Sequence, residues 1–75
     1  MKVRCKFRLL EVTHYASTAM RKFVFVPQYD ESIPEDQRFA KASPSGRFEI
    51  NVDNPNVDYK VGEYYYFDSV PVEGN

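Results

Sequence analysis

The sequence has very few residues that bind metals or form disulfides. Its 75 residues include one cysteine, Cys5, one histidine, His14, and no tryptophan. A single thiol excludes a disulfide within the chain. Because a structural zinc site takes about four cysteine or histidine ligands, we expect no metal and no other cofactor. A domain this small without such support must rely on packing or self-association, which favours a homo-oligomer.

Glycine and long apolar runs are also scarce. The glycines stand alone at positions 46, 62 and 74, so the chain has no glycine-rich phosphate loop. No apolar run approaches the roughly 20 residues that span a bilayer, and the first residues lack a signal-peptide core. Together with an unpaired thiol, these absences predict a soluble, cytoplasmic protein without a membrane partner.

Catalytic signatures are missing as well. His14 falls in the apolar phase of a predicted strand, and no motif places a serine or cysteine nucleophile beside it. The acid pairs Asp30/Glu31 and Glu35/Asp36 lie in a polar segment, whereas acid–base catalysis needs carboxylates in a desolvated cleft. We therefore predict a binding protein and not an enzyme.

What the sequence has in quantity is aromatic residues, six Tyr and six Phe, set in alternating patterns. Alternation of apolar and polar residues is typical of strands that bury one face. In the first strand the alternation slips by one residue at Leu9-Leu10, which predicts a β-bulge, with Leu10, Val12 and His14 continuing the apolar phase. The predicted strands are residues 2–14, 20–26, 38–42, 47–52 and 63–70.

The connections complete the predicted fold. Residues 28–37 are acidic and interrupted by proline, which predicts an exposed loop. Residues 43–46, Ser-Pro-Ser-Gly, are typical of a hairpin turn, and residues 53–58 begin like a helix with space for one turn. We expect a single mostly-β domain over residues 1–75, a small five-stranded curled sheet or barrel, OB-like or SH3-like, with one short helical turn and a flexible tail at 71–75.

Charge is unevenly distributed along the chain. Residues 1–26 carry six Lys or Arg against one acid, and residues 27–75 carry four against ten. Four of the cations alternate along one face of the first predicted strand: Lys2, Arg4, Lys6 and Arg8. A row of cations about 6–7 Å apart suits a phosphate backbone or another polyanion. The alternative is a solvated strand face whose lysines discourage edge-to-edge aggregation.

The second surface feature is the aromatic run at residues 64–67. Alternation places Tyr65 and Phe67 in the core and Tyr64 and Tyr66 on the opposite face. Exposed tyrosines suit base stacking or a protein interface, and the alternative is cross-strand packing or a dimer contact. The candidate ligand-binding residues are Lys2, Arg4, Lys6, Arg8, Arg47, Tyr64 and Tyr66.

Three segments carry a resemblance to a known class of proteins. They are Lys-Val-Arg-Cys-Lys-Phe at 2–7, Phe-Ala-Lys-Ala-Ser-Pro-Ser-Gly at 39–46 and Val-Gly-Glu-Tyr-Tyr-Tyr at 61–66. The layout resembles small accessory proteins of tailed bacteriophages and prophages. This resemblance implies a virus-encoded protein in the cytoplasm of a bacterial host cell, acting as an inhibitor of host defence or as a minor virion part. It supplies no catalytic residues.

Three functions are consistent with these features. The first is binding of an anionic ligand, single-stranded nucleic acid or a nucleotide, through the basic strand face. The second is inhibition of a host defence protein through the acidic loop around residues 30–36 or the exposed tyrosines. The third is a component of virion structure or assembly.

Overall fold

The computed structural model describes residues 2–40 and 43–73, which form a curled, half-barrel antiparallel sheet of four strands. The order across the sheet is β3-β2-β1-β4. The fold is therefore mostly β, as predicted, although the described residues contain four strands and not five. The strands are β1 (Val3–His14), β2 (Arg21–Gln28), β3 (Phe48–Val52) and β4 (Tyr64–Ser69).

The long central strand β1 carries the predicted bulge. Leu9 stands opposite Phe25, but Glu11 stands opposite Val24, so β1 has one residue more than β2 at this point. A bulge bends its strand and increases the local twist, which fits the curl of the sheet. The extra residue, Leu10, is 51% exposed. The expectation that Leu10 continues the apolar phase was wrong, because the bulge turns it away from the core.

The core lies on one face of this sheet and is largely aromatic. Its buried cluster consists of Leu9, Phe23, Phe25 and Val52. Tyr59, from the loop before β4, packs edge-on against Phe23 and Phe25, with ring centroids 5.1 and 5.2 Å apart. Tyr65 and Phe67 pack against the same cluster, which confirms their predicted core positions. Edge-to-face ring pairs thus fill a core that has no tryptophan.

The predicted helical turn at residues 53–58 is absent, and the correction has a local cause. The Asn54 side-chain oxygen accepts a hydrogen bond from the Asn56 backbone N–H at 3.0 Å, and the Asn54 carbonyl accepts one from Val57 N–H at 3.1 Å. Asparagine side chains that bond their own backbone favour turns over helix starts. A short 3₁₀ turn occurs instead at Glu35–Gln37, inside the acidic loop.

The predicted strand at 38–42 is also not formed as a strand in the part that the structure describes. Arg38 makes one isolated parallel bridge with Arg4, and residues 41 and 42 lie outside the described residues. The 43–46 turn consequently does not close a hairpin, because β3 pairs with β2. β3 occupies the outer edge of β2, where Phe48 stands opposite Phe25 and packs against the core. Ile50, opposite Phe23, is 38% exposed.

The last described residues follow β4 without regular structure. Residues 71–73 are exposed and outside the strands, and the remaining two residues of the predicted tail, 74 and 75, lie outside the described residues. Among residues 2–40 and 43–73, no helix has the length and apolarity to cross a membrane. The same residues contain no group of three or more His, Cys, Asp or Glu side chains placed to hold a metal ion.

Candidate functional site

The face of the sheet opposite the core combines cations from β1 with tyrosines from β4. Antiparallel pairing sets Arg8 opposite Tyr64 and Lys6 opposite Tyr66. Directly cross-strand residues share a face of the sheet, so these four side chains project from the same surface. The tyrosines that stand beside the cations of β1 therefore come from the neighbouring strand. We call this surface the β1–β4 face.

The two tyrosines of this face are accessible and each lies under a cation. Tyr64 is 56% exposed and Tyr66 is 49% exposed. The Lys6 ammonium lies 4.9 Å from the centre of the Tyr64 ring, and the Arg4 guanidinium lies 4.9 Å from that of Tyr66. An open hollow of about 250 Å³ lies here, lined by Lys6, Tyr64, Tyr65 and Tyr66. Small-molecule pockets begin at about 300 Å³, so this hollow is slightly smaller than a typical ligand pocket.

At one end of the basic row, two cations share one carboxylate. The Arg4 guanidinium donates to both carboxylate oxygens of Asp68, at 2.8 and 2.9 Å, and the Lys2 ammonium lies 3.9 Å from the same carboxylate. The hydrogen bond from Arg4 holds the pKa of Asp68 below its usual value. These contacts tie Arg4 firmly to Asp68 and reduce the charge of the Lys2–Arg4 end of the row from two positive charges to one.

Lys6 has an acidic partner from the loop that follows β2. Its ammonium lies 3.9 Å from the Asp30 carboxylate, whose side chain is only 9% exposed. Tyr66 Oη donates to Asp30 Oδ2 at 2.6 Å, while Ser32 donates to Oδ1 from its hydroxyl at 2.6 Å and its backbone N–H at 2.9 Å. The Ser32 hydroxyl first, and Tyr66 next, lower the pKa of Asp30 to about 2.

The position of Asp30 differs from the one expected from the sequence. The acidic loop predicted this carboxylate on an exposed, solvated surface, and the structure places it against Lys6 and Tyr66. An Asp two residues before a Ser signals a local turn of the kind seen here. No pattern in the sequence says which strand the loop packs against, so the contact with the β1–β4 face could not be inferred.

Arg8 differs from the other cations of the row. Its Nε donates to the Gly62 carbonyl at 3.4 Å, a weak contact. Within residues 2–40 and 43–73, no carboxylate lies within 4.0 Å of its guanidinium nitrogens. Arg8 is also exposed, directly beside Tyr64. It is therefore the residue of the row best able to contact a bound anion.

Arg47, the remaining candidate, is not brought together with the others. It lies just before β3, where its guanidinium is 3.1 Å from Glu49 and 3.9 Å from Glu11. Both acids stand opposite Val24 on neighbouring strands, so Arg47 reaches across β2 above that buried side chain. Two strands, β2 and β1, separate β3 from β4.

Cys5 and His14 lie far apart on the same strand. Nine residues of extended chain separate them, which corresponds to about 30 Å. His14 lies on the same side of β1 as Val12, in its predicted phase, but it is exposed at the end of the strand. Cys5 is half-buried opposite Phe67, and burial raises the pKa of its thiol. The geometry does not assemble a thiol–imidazole pair.

Comparison with known proteins gives no match to a family model, to a curated protein or to a solved structure. The resemblance to phage and prophage accessory proteins therefore stays a prediction from the sequence.

Proposed function

We propose that this protein is a non-enzymatic binding protein that takes single-stranded nucleic acid or a nucleotide on the β1–β4 face. The observation that carries the proposal is the exposure of Tyr64 and Tyr66 directly beside the cations of β1. Proteins that bind single strands combine aromatic rings, on which bases stack, with cations that contact phosphate. Tyr64 and Tyr66 supply the rings, and Arg8 supplies an accessible positive charge.

The spacing of the two tyrosines supports an unstacked ligand. Residues two apart on a strand are about 7 Å apart, roughly twice the 3.4 Å rise of stacked bases along one strand. Neighbouring bases that each contact one ring must therefore separate from one another. Single-stranded nucleic acid can make that change, whereas the bases of an intact duplex are held in their stack.

Fluorescence anisotropy tests the proposal directly. The purified protein would be titrated into labelled single-stranded DNA, single-stranded RNA and a cyclic dinucleotide, at low and near-physiological salt. We expect saturable binding of at least one probe, weaker at the higher salt because counterions are released from phosphate. No binding of any probe at low salt would contradict the proposal.

A tyrosine variant identifies the face. Because base stacking on an aromatic ring is worth about 1–3 kcal/mol, Tyr64→Ala should weaken binding about 5- to 150-fold. The matched control is Tyr15→Ala, which removes another exposed tyrosine at the far end of β1. Equal affinities for both variants and the unchanged protein would show that the ligand binds elsewhere.

A charge variant completes the test. Arg8→Glu reverses the accessible cation without breaking an ion pair of the described residues, whereas reversing Arg4 would leave Asp68 facing a second carboxylate. We expect Arg8→Glu to remove most of the binding at low salt. His14→Glu, which adds a carboxylate at the exposed end of the same strand, should leave it nearly unchanged. Circular dichroism would confirm that each variant is folded.

A further inference from the structure

We propose that Asp30 determines which ligands the β1–β4 face accepts. Its carboxylate neutralises Lys6 and fixes Tyr66, so the face takes bases on its tyrosines with a single phosphate contact and not with a run of backbone phosphates. The phosphate contact falls to Arg8. This inference deepens the proposed function and rests on it.

The first step of the argument is that Asp30 directly contacts two candidate ligand-binding residues. Its carboxylate accepts a hydrogen bond from Tyr66 at 2.6 Å and lies 3.9 Å from the Lys6 ammonium. The hydrogen bonds from Ser32 and Tyr66 hold its pKa at about 2, so the group is negatively charged at neutral pH. A phosphate that approaches Lys6 therefore meets a fixed negative charge.

The second step is that the carboxylate belongs to a well-anchored loop. Ile33 is buried, and its backbone N–H donates to the Asp30 carbonyl at 3.3 Å. Arg38 donates from Nε to the Ile33 carbonyl at 2.8 Å. The buried Ile33 side chain packs this loop against the rest of the fold, and these bonds fix its shape, so the loop presents Asp30 to the β1–β4 face.

The third step is that only two carboxylates of the described residues face the four cations of the basic row, so their positions decide which cation is left without one. Lys2 and Arg4 share Asp68, and Lys6 contacts Asp30, which leaves Arg8 as the cation without a carboxylate among the described residues. For a single strand, the slope of log affinity against log salt is about −0.7 per phosphate neutralised. One phosphate at Arg8 predicts a slope of about −0.7, and four phosphates along the whole row predict about −2.8.

The test measures this slope with a labelled oligothymidylate over a series of salt concentrations. For the unchanged protein we expect a slope of about −0.7. Asp30→Asn keeps one oxygen, which can still accept from Ser32, and places an amide NH2, which can donate to the Tyr66 hydroxyl, in the other position. It removes the charge, so Lys6 should gain a phosphate contact. The slope should then steepen to about −1.4, with tighter binding at low salt. The matched control is Asp36→Asn, an exposed acid of the same loop, which should retain the original slope.

A second variant tests the same point if Asp30→Asn does not fold. Lys6→Met removes the ammonium and keeps an apolar chain of similar length beside Tyr64. Because the inference gives Lys6 no phosphate contact, Lys6→Met should leave the salt slope unchanged. If the salt slope of Lys6→Met were less negative than that of the unchanged protein by about 0.7, the inference would be overturned.

The remaining outcomes separate the inference from the proposed function. A slope near −2.8 for the unchanged protein, or the same slope for folded Asp30→Asn as for the unchanged protein, would overturn the role of Asp30 and leave nucleic-acid binding intact. No binding of the oligothymidylate, of RNA or of a cyclic dinucleotide at low salt would overturn both.

Discussion

The guanidinium of Arg4 meets the carboxylate of Asp68 side-on, with Nε–Oδ1 and Nη2–Oδ2 distances of 2.8 and 2.9 Å. The two residues are a directly opposed pair of β1 and β4. Two parallel hydrogen bonds fix both the distance and the orientation of a pair. This contact therefore helps to hold the register in which the cations of β1 stand beside the tyrosines of β4.

A double-mutant cycle measures the Arg4–Asp68 pair. Arg4→Ala, Asp68→Ala and the double variant would be compared by thermal unfolding at low salt and at about 1 M salt. We expect a small favourable coupling, because exposed ion pairs contribute little, and a smaller one at high salt, where charges are screened within about 3 Å. Strictly additive effects at low salt would show that the pair does not contribute to stability.

The depressed pKa of Asp30 predicts how stability changes in acid. Its pKa is about 2 in the folded protein, against an ordinary value of 3.8. A carboxyl with a lowered folded pKa stabilises the fold above its unfolded pKa, and this contribution is lost as pH falls through the folded pKa. The stability difference between the unchanged protein and Asp30→Asn should shrink as the pH falls from about 4 to about 2.

Urea unfolding at several acidic pH values checks this prediction. Asp36→Asn is the control, since Asp36 is an exposed acid of the same loop without the contacts of Asp30. A difference between Asp30→Asn and the unchanged protein that stays constant over this pH range would contradict the assigned contacts.

The aromatic core predicts a large effect at Phe25. Its side chain is fully buried and contacts the rings of Phe67 and Tyr59 at 5.0 and 5.2 Å. Phe25→Ala should cost about 3–5 kcal/mol, which approaches the whole stability of a domain of this size. We expect circular dichroism to show a largely unfolded variant at 25 °C. Leu10→Ala should change stability by less than about 0.5 kcal/mol, because the bulge exposes Leu10. A loss of stability as large as that of Phe25→Ala would contradict the bulge.

Gly62 is the position at which the loop before β4 needs a glycine. Its φ is +90°, and its N–H donates to the Leu9 carbonyl at 2.9 Å. A Cβ added there would meet Arg8 Nη2 at 4.0 Å, so space is sufficient and the cost comes from the backbone. Gly62→Ala should destabilise the fold by about 1–2 kcal/mol in urea unfolding. Gly62→Asn, a residue that tolerates positive φ better, should lose less, and unchanged stability in both would refute the assigned conformation.

Local patterns in the sequence predicted the features that depend on one strand alone. The phase slip at Leu9-Leu10 located the bulge, because one extra residue shifts the alternation of apolar and polar side chains by one position. Alternation also separated Tyr65 and Phe67 from Tyr64 and Tyr66. Both features depend on neighbouring residues only.

The predictions that were wrong or missing concern features that depend on contacts between distant parts of the chain. Residues 38–42 have a strand-like composition, but the free edge of β2 is taken by β3, whose Phe48 stands beside Phe25. The basic row was visible in the sequence, whereas the carboxylates that pair with its cations were not. Asp68 is 64 residues from Arg4, and only the β1–β4 register brings the two together.

The pairing of β1 with β4 has a consequence for the order of events during synthesis. β1 and β2 are neighbours in the chain and can pair early, but β4 completes its ladder across some of the longest separations in the sequence. Contacts of high sequence separation form late, since a long loop must close first. On the ribosome, the cations of β1 therefore emerge without the tyrosines or Asp68. The β1–β4 face cannot form until β4 has been synthesised, and any chain stopped before β4 would lack it entirely.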